Sequence, residues 1–286
     1  MKNILFIAIA SLMLLGCGRK PGDTQKKDTT ANVNKTTSEN KVAGESGSGA
    51  PDSLKYEMKK FYKTYKNCKE EEDHCAYIKM DYPVFTSGGA YKEINNFIIS
   101  FLADSVYNLE GNGNKTLDKL AETFFSDFGT MMKDYPDWPG GYALDLGASV
   151  EYNKNNLITL NFSYYINTGG AHPNSYSIYY VLDASTGKMF RVKDMFVKGF
   201  EPKLNKLIEK KYRQFREMSD KDRLDGDKGM LFENHIEFNE NMGLLRDGII
   251  FFYNNYEIAA YAVGPSELKF TYKELDEVLK PEFKNK

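Results

Sequence analysis

Hydrophobic and polar positions along this chain recur with two periods, and together they predict an α+β fold: an antiparallel meander sheet packed with helices, preceded by a smaller α+β lobe. From Ala76 to Thr86, Tyr77, Lys79 and Asp81 alternate with Ile78, Met80 and Tyr82, the period of a strand. Pro83 marks the end of that strand as an edge or an exit, because proline has no N–H to give a ladder. Ser87-Gly88-Gly89 then leads into helical spacing. From about Ala90 to Leu109, the residues Ile94, Phe97, Ile98, Phe101, Leu102 and Leu109 fall on one face. Gly111-Asn112-Gly113-Asn114 stops that helix. A second runs from about Thr116 to Lys133, with Leu117, Leu120, Phe124, Phe125, Phe128 and Met131 inward. At this spacing an aromatic stripe reads as core, not as a cofactor box.

Pro136, Pro139, Gly140 and Gly141 break the pattern around Trp138, and period two returns. Ala148, Val150 and Tyr152 alternate with Ser149 and Glu151. Asn153 to Asn156 reads as a hairpin turn, since asparagine tolerates positive φ. Ile158, Leu160, Phe162, Tyr164 and Ile166 then share a face opposite Thr159, Asn161 and Ser163. Tyr176, Ile178, Tyr180 and Leu182 share one opposite Ser175, Ser177 and Asp183. Three strands of one period predict a meander with one face on the helices. A third helix is expected from about Glu201 to Met218, with Pro202 in its first turn and Leu204, Leu207, Ile208 and Phe215 buried. Ser219 to Gly229 is acidic, but with Gly226 at the glycine position of a calcium loop, Lys221 and Arg223 fall on ligand positions and Phe232 replaces the closing Glu. It reads as a solvated loop. Gly248 to Tyr253 is a continuous apolar strand, Tyr256 to Gly264 a further strand, and Leu268 and Phe270 point inward from another. Thr271 and Glu274 form a capping box for a short last helix before Pro281.

The front of the chain adds an address. Lys2 precedes the apolar run Ile4 to Gly16, too short to span a bilayer, which ends in Leu14-Leu15-Gly16-Cys17. That ending resembles a lipobox, so residues 1–16 are expected to be a signal peptide and Cys17 to carry acyl chains, palmitate among them, that anchor the protein to a bacterial membrane. The expected location is extracytoplasmic, on the outer membrane if the cell is Gram-negative. Residues 17–55 are poor in large apolar side chains and read as a disordered tether. Cys68 and Cys75 remain, and in an oxidising compartment they favour a disulfide. His74 and the acidic run from Glu70 to Asp73 raise a metal reading, but C-x6-C matches no common zinc spacing. The 38 basic and 40 acidic residues leave no basic excess for nucleic acid. With 20 Tyr and 19 Phe, the sheet suits contact with carbohydrate or protein. No cofactor pattern is found.

Two stretches carry a family resemblance. Asn167-Thr-Gly169-Gly170-Ala-His172-Pro-Asn174, followed by Asp183-Ala-Ser-Thr-Gly187-Lys and Val192-Lys-Asp194-Met-Phe196, resembles a signature of the ectodomain of RsiV-type anti-sigma factors, which also accompanies PdaC-type peptidoglycan deacetylases. Phe252 to Gly264 resembles the second signature of that domain. Tyr82 to Phe85 and Ile94-Asn95 resemble the smaller domain that precedes it. The resemblance covers about residues 56 to 280 and implies two α+β domains, at 56–165 and 166–280. Neither a sigma-binding segment nor a deacetylase domain is expected in this chain, so no sigma factor is an expected partner. What carries over is binding: the resemblance implies a lysozyme or peptidoglycan-fragment ligand for a lipid-anchored, non-catalytic protein. Two alternatives stand beside it, an envelope hydrolase centred on His172 and Glu257 and a purely structural lipoprotein.

The candidate catalytic residues are therefore His172, Glu257 and Asp183. His172 sits in a turn that Gly169 and Gly170 make tight, and either Glu257 or Asp183 would orient its ring. The competing reading has His172 pin the turn to the second signature through Glu257, a carboxylate in an otherwise apolar strand that needs a partner. Gly169, Gly170, His172, Tyr165 and Tyr179 are the ligand-binding candidates, the two tyrosines because they lie on the face opposite the core.

Overall fold

A computed structural model of the chain describes residues 53–104 and 115–284. The signal segment, Cys17, the tether through residue 52, Leu109 and the run 111–114 lie outside them. The main sheet holds six strands side by side in chain order: β1 (Lys55–Thr64), β2 (Ala76–Ser87), β3 (Tyr142–Lys154), β4 (Leu157–Asn167), β5 (Asn174–Asp183) and β6 (Met189–Phe190). Neighbours are antiparallel except β2 and β3, which run parallel. A parallel pair needs a long crossover, and α1 (Tyr91–Asp104) with α2 (Leu117–Asp134) supplies it. Both helices lie on one face of the sheet. There Ile94, Ile98, Phe124 and Phe128 pack on Ile78, Leu144, Leu160 and Phe162. The hairpin between β3 and β4 turns on Asn155 and Asn156, at φ 54 and 59.

A division after residue 165 falls inside β4, whose ladders to β3 and β5 continue to Asn167 and Ile166. Strand β1 is an element that period does not reveal. It is exposed along almost its whole length, so neither face imposes an apolar alternation. Lys55, Lys59, Lys60 and Lys63 keep that edge soluble.

The second sheet is β7 (Met242–Leu245), β8 (Gly248–Tyr253) and β9 (Ser266–Thr271), with β8 central and buried at every position. Its core includes Val192 and Met195 of the short α3 (Val192–Met195), and Leu204, Ile208 and Tyr212 of α4 (Glu201–Phe215). Phe215, expected in that core, is exposed instead. Tyr212 takes the inward position and donates a 2.6 Å hydrogen bond to the Gly229 carbonyl. Tyr256 to Gly264 is not a strand either. Tyr256 has φ 64, which breaks the extended backbone, and a 3-10 turn follows at Tyr261–Val263. The capping box at the C-terminal end forms, with Glu274 accepting from the Thr271 N–H and Thr271 accepting from that of Glu274. It opens a series of turns, not a regular helix.

Strand β7 crosses the far face of the main sheet, over β3, β4 and β5. Gly243 allows this approach, since a Cβ there would stand 2.7 Å from both Thr159 Cγ2 and Tyr179 Cδ1. Thr159, on the face that alternation made wet, is consequently fully buried, and its hydroxyl has no hydrogen-bond partner among the described residues.

Candidate functional site

The second sheet covers only part of that far face. Over the rest, β2 to β5 present alternate polar side chains to an open groove of about 540 Å³. Asp81, Asp145, Ser163, Tyr165 and Ser175 form its floor. Phe252, Asn254, Asn255 and Pro265, from the end of β8 and the segment before β9, form its wall. The floor follows from register: Asp145 pairs with Tyr165, and Tyr165 with Ser175, so all three point the same way.

The wall is tied to the floor by side chains that imitate a strand. Between Ser175 and Tyr179 the outer edge of β5 has no neighbouring strand. Asn254 accepts from the Ser177 N–H at 2.8 Å and donates to the Ser177 carbonyl. Asn241 accepts from the Tyr179 N–H at 2.8 Å and donates to the same Ser177 carbonyl. Two amides thus satisfy three backbone groups of an edge that would otherwise be open.

Asp145 is the carboxylate in the groove whose ionisation its surroundings change. Burial raises its carboxyl above the usual range, against the opposing pull of Lys79 and of a hydrogen bond from Tyr77. The Tyr77 hydroxyl donates to it at 3.4 Å, and burial together with Asp145 pushes that phenol up to about 12. Tyr165 stands exposed beside them.

The residues marked out in the sequence take several places. Cys68 and Cys75 are joined, with Cα atoms 5.6 Å apart. His172 does reach the second signature, but not through Glu257. Its ring stacks on Tyr261 at 4.0 Å, its Nδ1 lies 3.0 Å from the Pro173 carbonyl, and the Tyr256 hydroxyl lies 3.4 Å from Nε2. A proton on Nδ1 satisfies both contacts, with Tyr256 donating to Nε2. Glu257 is exposed in a turn, not buried in a strand. It accepts from the Asn239 amide and from the Asn254 N–H at 2.9 Å. Asp183 accepts from the backbone N–H groups of Ser185 and Thr186 and from the Ser185 hydroxyl. Burial is the largest influence on its carboxyl and raises it, but these hydrogen bonds together outweigh burial and hold it below the usual range. The three candidate catalytic residues are thus each committed to a different local structure.

Tyr179 is corrected from a surface residue to a buried one, packed with Ile250 and Phe252 under the second sheet. Gly169, at φ +82, lies under Trp138, whose ring would be 2.3 Å from a Cβ. Gly170 and His172 are exposed at the same turn. Of the binding candidates, Tyr165 lines the groove. Asn254 lies in the second signature, while Asp81, Asp145 and Ser175 belong to no motif. The one signal for them in the sequence is polar residues at alternate positions on neighbouring strands. Among the described residues, no three or more His, Cys, Asp or Glu side chains gather as a metal site, and no helix is long and apolar enough to cross a membrane.

Fold and groove together define a two-sheet α+β protein with an open cleft, lined by tyrosine rings and Phe252 as well as polar side chains, where the second sheet stops short of covering the first. Residues 68–175 match the family described as Deacetylase PdaC, and residues 193–273 match DUF3298, described as a protein of unknown function. These matches bear out the resemblance drawn from the two signatures. Among solved structures, the chain is similar to a DUF3298 family protein from Pseudomonas aeruginosa PAO1, with a TM-score of 0.64 and 20% identity over 83% of this chain and 100% of that one. It is also similar to a member of that family from Bacteroides fragilis NCTC 9343, with a TM-score of 0.61 and 18% identity over 82% and 96% of the two chains. At these identities the likeness is one of fold. A search of curated proteins finds no match.

Proposed function

We propose that this protein is a non-catalytic binding lipoprotein of the bacterial envelope, anchored through an acylated Cys17, and that its groove holds a segment of glycan. The groove carries the reading: an open trough on a rigid sheet, with an exposed tyrosine ring beside carboxylates, hydroxyls and amides. A sugar ring offers an apolar face to stack on an aromatic ring and an edge of hydroxyls to bond carboxylates and amides. A sheet-borne site needs little ordering on binding. The committed hydrogen bonds of His172, Glu257 and Asp183 favour this over a hydrolase centred on them. The matches to PdaC and DUF3298 support an envelope setting.

Co-sedimentation of the full chain with purified peptidoglycan tests the reading, with lysozyme capture as a parallel arm. Retention on peptidoglycan, weakened about tenfold by Tyr165→Ala as expected for loss of one stacked ring, is the predicted result. A chain that stays in the supernatant, or a Tyr165→Ala variant that sediments like wild type, would overturn it.

A further inference from the structure

The groove is uneven in charge. Its charged lining consists of two carboxylates, Asp81 and Asp145, and no lysine or arginine lines it. The two differ. Asp81 faces Lys60 of β1 at 3.6 Å, at an exposed edge. Asp145 is half-buried, and among the described residues its hydrogen bond is the long one from Tyr77, with no ion pair. Several other carboxylates are spent on structure. Asp183, Asp222, Glu257 and Glu274 each accept two or more hydrogen bonds at turns and caps.

Four titratable groups face Asp145: Tyr77 and Lys79 on β2, Tyr165 on β4, and Glu70 in the disulfide loop. Lys79 is exposed and lies outside the groove lining. Lys79, its register partner on β2, draws its carboxyl down but makes no ion pair with it among the described residues, so Asp145 is a partly desolvated acceptor whose neighbouring cation is exposed. On the opposite wall the Asn255 side-chain oxygen is enclosed, with no donor among the described residues, and is not open to a ligand in the groove. An ammonium group brings donors and one positive charge, which suits the Asp145 carboxylate. The tyrosine ring at Tyr165 and the hydroxyls of Ser163 and Ser175 suit a hydroxylated ring attached to that ammonium better than a bare alkyl chain.

We propose that the groove selects a saccharide carrying a free amino group, with its ammonium on the Asp145 carboxylate and its ring against Tyr165. This selectivity rests on the groove being a glycan site and narrows the class of glycan. An acetamido group in the same place has no charge. It would leave Asp145 covered and unpaired, so a carboxylate on the floor selects against it as well as for the amine.

Calorimetric titration of the full chain with a glucosamine tetramer and with an N-acetylglucosamine tetramer, at mildly acidic pH and low salt, tests this. The amino tetramer is expected to bind about tenfold tighter, the effect of one charge-assisted contact. Asp145→Asn, which preserves shape, is expected to remove that preference, weakening the amino tetramer and tightening the acetylated one. Equal affinities, a preference for the acetylated tetramer, or a preference that survives Asp145→Asn would overturn the selection while leaving a glycan groove in place. Tetralysine binding as tightly as the amino tetramer, with the same dependence on Asp145, would overturn selection of a saccharide. Binding of neither tetramer would overturn the glycan reading itself.

Discussion

Thr159 shows at the scale of one residue how far alternation carries and where it stops. It follows Ile158 and precedes Leu160, so the period puts it on the wet face. That prediction is right about direction and wrong about solvent, because Gly243 brings β7 down onto it. The result is a buried hydroxyl without a partner among the described residues. Leaving such a group unsatisfied costs about 1–3 kcal/mol, and an isosteric apolar replacement removes the penalty. Thr159→Val is therefore expected to raise unfolding stability by about 1 kcal/mol, read from chemical denaturation with unchanged slope. A decrease would mean that the hydroxyl is bonded. Tyr179 departs from its expected exposure for the same reason. Its neighbours on β7 and β8 lie more than sixty residues further along the chain, beyond the reach of any local pattern. Glu257 departs differently. A carboxylate in an apolar run points to a buried partner, but the left-handed Tyr256 turns the backbone and delivers it to solvent.

At the scale of elements, one-sided burial decides what can be read. Strands β2 to β5 pack one face on the helices, helices α1, α2 and α4 each bury one face, and their periods reveal them. Strand β1 buries neither face and leaves no trace. The junction of the two sheets is also hidden, because it is made by asparagine amides in place of a ladder. Asn241 holds the β5 edge through the Tyr179 N–H and the Ser177 carbonyl. Asn241→Ala would leave that N–H part-buried and unpaired. A loss of about 2 kcal/mol is expected, together with faster amide exchange at Tyr179. Full stability with unchanged exchange would show that β5 is held by its β4 ladder alone.

The groove belongs to the whole molecule. Its floor comes from four strands ending at Ser175 and its wall from a segment that begins only at Phe252, so no stretch of sequence contains it. What is legible is the ingredient, polar side chains at alternate positions of a meander and a tyrosine at 165, and not the place where they meet. The turn at Gly169 to His172, part of the resemblance drawn from the sequence, packs on Trp138 and Tyr261. It thereby anchors one end of the fold beside the groove. Amide chemical-shift mapping of the full, isotope-labelled chain during titration with a soluble peptidoglycan tetrasaccharide tests the central claim most directly. The account predicts saturable shifts centred on Asp145, Ser163, Tyr165, Ser175 and Asn254. Shifts absent at saturating glycan, or centred on the α1 and α2 face, would contradict it.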